Sequence, residues 1–286
     1  MYGVAYNDKL DAVFVRAETM DEIEPIYSSK YVQADAGNIY KKALADAKSG
    51  RKVLFTGTPC QIAAFRSFVQ NRYDNVLLVD IICHGTPSPK VFHDFVDYYG
   101  EKHNSKVVKY VHRSKVCGWQ HIEEITLANG EKDHSSWLSG AWKNIFYNNC
   151  VVRPSCSSCE FVDHAKNRAA DITVSDFWGI EENHPEFYSN NGVSYVGIYT
   201  QQGEKWFAEI EHNLTTIPVT VDDILVRQPQ YEGKPIEPKN REFFWEMYRT
   251  KGISEIVKTY GKVNIKDITK TIIKRTQIYK KLRGVK

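Results

Sequence analysis

The sequence predicts an α/β fold with a mixed sheet and helices on both of its faces. Short apolar runs at 52–55 and 76–82 have the length and composition of buried strands. Helical patterns follow them at 61–70 and 90–99. A strand, helix, strand, helix order is typical of a parallel sheet, and an apolar fraction of 42% is enough for a core.

The chain begins with two short strands, at 2–6 and 11–16, which a turn at 7–9 joins. Helical patterns cover 19–25 and 37–49, and Gly50 ends the second one.

After residue 105 the pattern changes to strands, and later to helices. The predicted elements are strands within 106–129, an aromatic-rich helix at 136–147, a cysteine loop at 150–163, strands at 171–175 and 193–199, and helices after 203. We therefore expect one domain over residues 1–250, with a cysteine-loop insertion near 150–180, and a helical tail at 251–286.

The tail carries the excess of positive charge. Residues 251–286 hold 11 Lys and Arg against 2 Asp and Glu, whereas the chain as a whole has a net charge of +3. The spacing of apolar and basic residues predicts an amphipathic basic helix over 264–284. Such a helix docks on an anionic membrane surface or an acidic partner, or it is a solvated terminal helix. No recognised fold for binding nucleic acid accompanies it.

No apolar run is long enough for a membrane span, and the first residues do not form a signal peptide. We therefore expect a cytoplasmic protein, or one attached to the inner face of the membrane. Thiols stay reduced in that compartment, so the six cysteines favour metal or redox chemistry over disulfides.

Four of the cysteines occupy positions suited to one metal centre. Cys156 and Cys159 are three residues apart on a loop opened by Pro154, while Cys60 and Cys83 each follow a predicted buried strand. Carboxyl ends of neighbouring parallel strands meet at one edge of the sheet, where functional residues gather. The four thiols are thus candidate ligands for zinc or for an iron–sulfur cluster, and spacing does not choose between the two.

The alternative is that Cys60 and Cys83 are buried apolar side chains and that the CxxC pair is incidental. We leave Cys117 and Cys150 out of the ligand set. Among the histidines, only His84 is a candidate for proton transfer, since His112, His121 and His134 are expected at the surface or at strand edges. The turn Thr56-Gly57-Thr58 between a strand and a helix is a weak signal for anion binding.

Several segments together resemble the coenzyme F-420 hydrogenase/dehydrogenase beta-subunit family. In the family's order, they are Ser29–Asp35, Thr56–Ala63, Asp80–Gly85 with Pro87–Pro89, Gly118-Trp119, Arg153–Cys159 and Ser175–Gly179. They lie within residues 2–200. The resemblance implies an iron–sulfur flavoprotein.

The resemblance implies that Cys60, Cys83, Cys156 and Cys159 hold a [4Fe-4S] cluster. It also implies that FAD lies near Lys30, Tyr31, Gln33, Thr56, Gly57, Thr58 and Trp119. Archaeal members pass electrons to the deazaflavin coenzyme, and bacterial members often accompany genes for polysaccharide synthesis. The expected partner is an electron-donor or electron-acceptor protein, for example a ferredoxin-like one.

Relatives usually begin with a ferredoxin-like segment, and this chain starts at the strand that follows it. We expect a fragment, a shortened paralogue or one half of a split protein. The sequence therefore favours an oxidoreductase that transfers electrons between a flavin-type carrier and a cluster. The alternatives are a structural module stabilised by zinc or a cluster, and a sugar-modifying enzyme of surface-polysaccharide synthesis.

Overall fold

The computed structural model describes residues 1–70, 73–162, 168–231, 233 and 236–262. Its strands are β1 (Tyr2–Tyr6), β2 (Ala12–Arg16), β3 (Val53–Gly57), β4 (Val76–Ile81), β5 (Val107–Ser114), β6 (Ile122–Leu127), β7 (Lys132–Asp133), β8 (Ile172–Asp176) and β9 (Ser194–Ile198). Its helices are α1 (Met20–Ile23), α2 (Ile39–Lys48), α3 (Pro59–Val69), α4 (Pro89–Lys102), α5 (Ala141–Tyr147), α6 (Ile180–Asn183), α7 (Gln201–Ala208), α8 (Val221–Leu225) and α9 (Arg241–Tyr260).

The chain divides into two compact units. The first unit contains residues 1–86, 153–178 and 193–236. The second contains residues 87–152, 179–192 and 237–286. The chain therefore passes between the units several times.

The first unit is built on a six-stranded mixed sheet, flanked by helices, with strand order β2-β1-β3-β4-β8-β9. Its centre is parallel, since β3 pairs with β1 and β4, and β4 pairs with β8. The outer strands β2 and β9 are antiparallel to their neighbours. This arrangement confirms the predicted α/β fold with a mixed sheet.

Aromatic side chains form the core between this sheet and the helices α2 and α3. Phe55 of β3 is fully buried, and its ring centroid lies 4.3 Å from that of Phe65 on α3. Phe14, Tyr2 and Tyr40 surround the same ring at 5.4, 5.9 and 5.7 Å. Stacked and tilted contacts of this kind add to the hydrophobic stabilisation of a core.

The first unit also buries a polar network beside β4 and β8. The carboxylate of Asp80, 1% exposed, accepts hydrogen bonds from Nη1 of Arg168 at 3.1 Å and from Oγ1 of Thr173. The Arg168 guanidinium lies over the ring of Tyr199, 4.4 Å from its centroid. Burial raises the pKa of Asp80 to about 6, although the bonds to Thr173 and Arg168 oppose this shift.

The second unit packs a three-stranded sheet, in the order β5-β6-β7, with the helices α4, α5 and α9. His112 of β5 is 1% exposed, and its Nδ1 lies 3.2 Å from Oε1 of Glu123 on β6. The expectation that His112 lies at the surface or at a strand edge is therefore wrong. The neighbouring strand supplies a carboxylate, which allows the imidazole to be buried.

The start of one helix differs from the sequence prediction. The aromatic-rich helix begins at Ala141 instead of residue 136, because Oδ1 of Asp133 accepts bonds from the backbone N–H groups of Ser135 and Ser136 and forms a turn there. The predicted boundary at residue 250 falls inside α9, which kinks at Gly252 with φ of +73°. The predicted basic helix at 264–284 lies outside the described residues.

Within the described part of the chain, no helix combines the length and the apolar character that crossing a membrane requires.

Phe55 is expected to be the most sensitive position of the aromatic core. We predict that Phe55→Ala lowers the free energy of unfolding by about 3–5 kcal/mol, because it removes the ring that four other rings contact. Urea denaturation measures the change. Phe243→Ala is the control, since that ring is 57% exposed and its removal should change stability by no more than about 0.5 kcal/mol. Equal effects of the two substitutions would contradict this description of the core.

Asp80 should make stability depend on pH. The pKa of its carboxyl is raised in the folded state, from 3.8 to about 6, so the folded protein binds this proton more tightly than the unfolded chain. Protonation of Asp80 therefore contributes fully to the free energy of unfolding below pH ~4. This contribution decreases by about 3 kcal/mol as the pH rises to ~6, and the stability does not change further above that pH.

The measurement is the difference in unfolding free energy between the wild type and Asp80→Asn, followed between pH ~4 and ~6. We expect this difference to shift against the wild type as the pH rises. Asp8→Asn, at an exposed turn, is the control for removing one carboxylate. A shift in favour of the wild type would mean that Arg168 outweighs burial in setting the pKa of Asp80.

Candidate functional site

Cys60 lies in the first turn of α3, directly after the carboxyl end of β3. Pro59 is the first residue of the helix, where its missing N–H costs nothing. The backbone N–H of Thr58 donates to Oε1 of Gln61 at 2.9 Å, which fixes the turn before the helix. The Cys60 thiol is exposed, and its Sγ lies 3.3 Å from Oγ1 of Thr58. The prediction that Cys60 follows a buried strand is confirmed.

Cys83 follows β4, the strand that pairs with β3. The backbone N–H of Gly85 donates to Sγ of Cys83 at 3.4 Å. Gly85 has a φ of +124°, a conformation that glycine adopts without strain. Burial raises the pKa of Cys83 to about 12, while the bond from Gly85 opposes the shift.

Cys156 and Cys159 lie on a loop that contacts the segment after Cys83. The backbone N–H of Arg153 donates to the carbonyl oxygen of Thr86 at 3.0 Å, and Oγ1 of Thr86 lies 3.9 Å from Sγ of Cys156. A short 3-10 turn, Pro154–Cys156, and a bond from the Cys159 N–H to the Cys156 carbonyl bring the two thiols onto one turn.

The four thiols lie close enough for their charges to interact. After burial and the opposing Gly85 bond, negative charge on Cys60, Cys156 and Cys159 raises the pKa of Cys83 further. Burial also raises the pKa of Cys159, together with charge on Cys60 and Cys156. Charge interactions therefore connect the four cysteines that the sequence singled out, and their role as metal ligands stays a prediction.

The backbone around Cys159 favours its charged form. The N–H groups of Phe161 and Val162 donate to its thiol and lower its pKa, against the effect of burial. Donors of this kind are what a buried thiolate needs to keep its charge when it binds a metal. Among the residues that the structure describes, no three His, Cys, Asp or Glu side chains are grouped in a way that could hold a metal ion.

The other two cysteines lie in the second unit. Cys117 is exposed. Cys150 is buried, and its thiol contacts Oδ1 of Asn148 at 2.8 Å and Oδ1 of Asn240 at 3.3 Å. Neither belongs to the predicted ligand set.

His84, the predicted proton-transfer residue, is half-buried next to Cys83. Its Nδ1 lies 3.5 Å from Nε2 of Gln230. The imidazole is thus positioned by a side chain from the segment that follows α8.

The Thr56–Thr58 turn, which is predicted to lie near a flavin, forms hydrogen bonds with neighbouring parts of the chain. Oγ1 of Thr56 donates to the carbonyl oxygen of Tyr2 at 3.0 Å. A Cβ at position 57 would lie 3.1 Å from Oε1 of Gln61. Glycine at this position therefore allows the Gln61 side chain to lie close to the backbone of the turn. With the bond from the Thr58 N–H, these contacts give the turn one defined shape at the end of β3.

Lys30 has a role that the sequence did not predict. Its Nζ donates to the carbonyl oxygens of Pro25, Ile26, Tyr27 and Ser28 at 2.7–3.1 Å. Burial lowers the pKa of this amine to about 8, so at neutral pH it is still protonated and can donate. Lys30 therefore holds together the carbonyl groups of the segment after α1. The two other predicted residues of this segment, Tyr31 and Gln33, are half-buried.

Trp119, the remaining predicted flavin residue, belongs to the second unit. Its indole is 6% exposed and lies 6.0 Å, between ring centroids, from Tyr188. A Cβ at Gly192 would lie 3.0 Å from its Cδ1, so the 188–192 segment packs closely on this ring. The ring is thus part of the packing of its own unit.

Sequence reasoning missed a group of tyrosines in the first unit, of which Tyr195 and Tyr231 are buried. The hydroxyl of Tyr199 lies 3.4 Å from that of Tyr195 and 3.2 Å from that of Tyr231. Arg168 lies over two of these rings and binds Asp80, three residues before Cys83. The one local signal is Asp80 itself, a single charge inside the apolar run 76–82.

Ten chains of solved structures match this chain. No curated protein sequence matches the chain. A solved structure titled "Xenon derivatization of the F420-reducing [NiFe] hydrogenase complex from Methanosarcina barkeri" includes a chain that is 17% identical, with a TM-score of 0.48, covering 87% of this chain and 80% of its own.

A family model matches residues 50–221, which is more than half of the chain and includes all four of the thiols described above. The model describes the C terminus of the beta subunit of coenzyme F420 hydrogenase/dehydrogenase. The chain belongs to this family, the C-terminal region of coenzyme F420 hydrogenase/dehydrogenase beta subunits.

Proposed function

We propose that this chain is an iron–sulfur oxidoreductase domain that transfers electrons between a flavin-type or deazaflavin-type carrier and a [4Fe-4S] cluster. The observation that supports the proposal is the charge interaction of Cys83 with Cys60, Cys156 and Cys159, with Cys60 and Cys83 each following one of two paired strands. Membership of a hydrogenase and dehydrogenase family supports a redox role of this general kind.

The donor set suits a cluster. Four cysteine thiolates are the usual ligands of a [4Fe-4S] cluster, with one thiolate on each iron. Two of the thiols follow strand ends and the other two lie on one turn. Because they come from separate segments, each thiol can bind a different iron. The N–H groups of Gly85, Phe161 and Val162 would stabilise the bound thiolates, as outer-shell donors do in metal sites.

The protein would tune the potential of the site through its surroundings. A cluster stores single electrons, and a flavin couples them to two-electron chemistry. Burial of Cys83 reduces contact of this edge with water, and N–H donors to sulfur make a cluster easier to reduce by compensating its negative charge. The hydroxyls of Thr58 and Thr86 lie beside Cys60 and Cys156 and can act in the same way.

We further propose that FAD binds near the Thr56–Thr58 turn, with Tyr31 and Gln33 as contacts and Lys30 positioning the preceding segment, while a role for Trp119 stays a prediction from the sequence. The turn lies at the same strand end as Cys60, so a flavin there would be close to the cluster. His84, held by Gln230, is the proposed proton-transfer residue.

The electron donor or acceptor is proposed to be another protein, for example a ferredoxin-like one, in the cytoplasm or at the inner membrane face. The organic carrier is proposed to be coenzyme F420 or a related molecule, as the family's description suggests. A role in surface-polysaccharide synthesis, and docking of residues 264–284 on an anionic membrane, stay predictions from the sequence.

The cluster is tested by the metal content of protein prepared without oxygen. We expect about four irons per chain and a broad visible absorption, which disappear in Cys156→Ser because one ligand is lost. The same variant should no longer reduce an artificial one-electron acceptor. Stoichiometric zinc in a colourless wild-type protein would replace the redox proposal with a structural metal module.

Cys117→Ser is the matched control, since Cys117 is an exposed thiol in the second unit. It should keep the iron and the colour of the wild type. If both serine variants lose iron equally, or if neither does, the proposed ligand set is wrong.

The flavin is tested by fluorescence titration of FAD onto the wild type and Gln33→Ala. Gln33 is half-buried, and losing one hydrogen bond to the ligand should weaken binding about tenfold, or ~1.4 kcal/mol. The melting temperature of the variant shows whether the fold is kept. FAD binding that is unchanged in a folded variant would exclude Gln33 from the flavin site.

A further inference from the structure

A cavity of about 650 Å³ lies in the first unit, at the edge of the sheet opposite the cysteines. Its walls come from the last turns of α3, the beginning of β4, and the first turns of α7. Asp171, directly before β8, also lines it. This volume is within the range of sites for small ligands, about 300–1,000 Å³.

A preorganised cation lies in the wall of this cavity. Nη2 of Arg66 donates to Oδ1 of Asp171 at 2.9 Å, and the Arg66 side chain is only 26% exposed. Asp171 is held in turn by the backbone N–H of Leu78 and by Oγ1 of Thr200, both at 2.9 Å. A guanidinium has five N–H donors, so one bond to Asp171 fixes Arg66 while others stay available for a ligand.

The first turns of α7 bring a second cation to the cavity. Oγ1 of Thr200 accepts from the N–H of Gly203 at 3.1 Å and caps the helix. A Cβ at Gly203 would lie 2.7 Å from the Asp171 carbonyl oxygen, so glycine lets α7 lie close against the beginning of β8. Lys205, further along the helix, lines the cavity. Its exposed ammonium can pair with the same anion as Arg66.

The remaining wall contains apolar, aromatic and polar side chains. Val69, Tyr73 and Leu78 are its apolar and aromatic members, while the exposed carboxylate of Asp74 and the amides of Gln201 and Gln202 are polar. Asp171 already has three hydrogen-bond donors, which offset its charge. The cavity therefore combines apolar and aromatic side chains with two cations.

We propose that this cavity binds a small aromatic carboxylate, with its acid group on Arg66 and Lys205 and its ring against Val69 and Tyr73. The planar fork of arginine matches a carboxylate, and Val69 and Tyr73 offer an apolar and aromatic surface to a ring. This site is separate from the proposed cluster and needs neither iron nor flavin.

The cavity also contacts the group of tyrosines around Tyr199. Tyr199 lines it, and Arg168, which lies over the Tyr199 ring, binds Asp80 on the strand leading to Cys83. A ring bound in the cavity would therefore contact Tyr199, which is connected through Arg168 to Asp80.

The probe for the test is 4-fluorobenzoate, observed by fluorine NMR in the presence of the full chain. We expect saturable broadening of its signal by the wild type. Lys205→Glu should weaken binding by about tenfold or more, because it replaces an attractive charge with a repulsive one. Lys41→Glu, an exposed lysine of α2 that does not line the cavity, makes the same change of net charge and should bind as the wild type does.

4-Fluorobenzamide separates recognition of the carboxylate from simple apolar binding, because it keeps the ring and loses the charge. We expect it to bind much more weakly than 4-fluorobenzoate. Equal binding of the two probes, equal binding by Lys205→Glu and the wild type, or no binding at all would overturn the proposal. Because iron and flavin content play no part in these readouts, a failure here is distinct from a failure of the redox function.

Discussion

The in-register parallel pairing of β3 with β4 is the constraint on which the candidate site depends. The pairing runs from Val53 opposite Val76 to Gly57 opposite Asp80. Because the two strands point the same way and end level, the residues that follow them emerge at one edge. Cys60 and Cys83 are therefore brought together by backbone hydrogen bonds and by the aromatic core beneath β3, although they are far apart in sequence.

The cysteine loop reaches the same edge through a different kind of contact. Its first backbone N–H, from Arg153, binds the carbonyl of Thr86, and the 3-10 turn then directs Cys156 towards the Thr86 hydroxyl. A metal centre bound here would link three segments of the chain, because each segment would supply at least one thiolate ligand. Burial alone disfavours the charged form of Cys83, so N–H donors and a bound cation would have to compensate.

The polar network around Asp80 shows how the first unit tolerates charge inside its sheet. A carboxylate and a guanidinium are costly to bury, and removing one partner of such a pair commonly costs about 3–5 kcal/mol. Here Thr173 shares the carboxylate and Tyr199 faces the guanidinium, so each charge has more than one partner. The network links the cysteine edge with the cavity edge through side chains of β4, β8 and the segment after β9.

The sequence by itself determined the α/β class, the order of the elements and the choice of four cysteines as candidate ligands, because strand periodicity, turns and helix starts are local signals. Only the tertiary structure decided the roles of Lys30, Asp80 and His112, and the position of Trp119 in the second unit. Arg168 meets Asp80 across 88 residues of chain, and α7 meets Asp171 across the sheet. Such partners leave no local pattern, since their contacts exist only once the strands have paired.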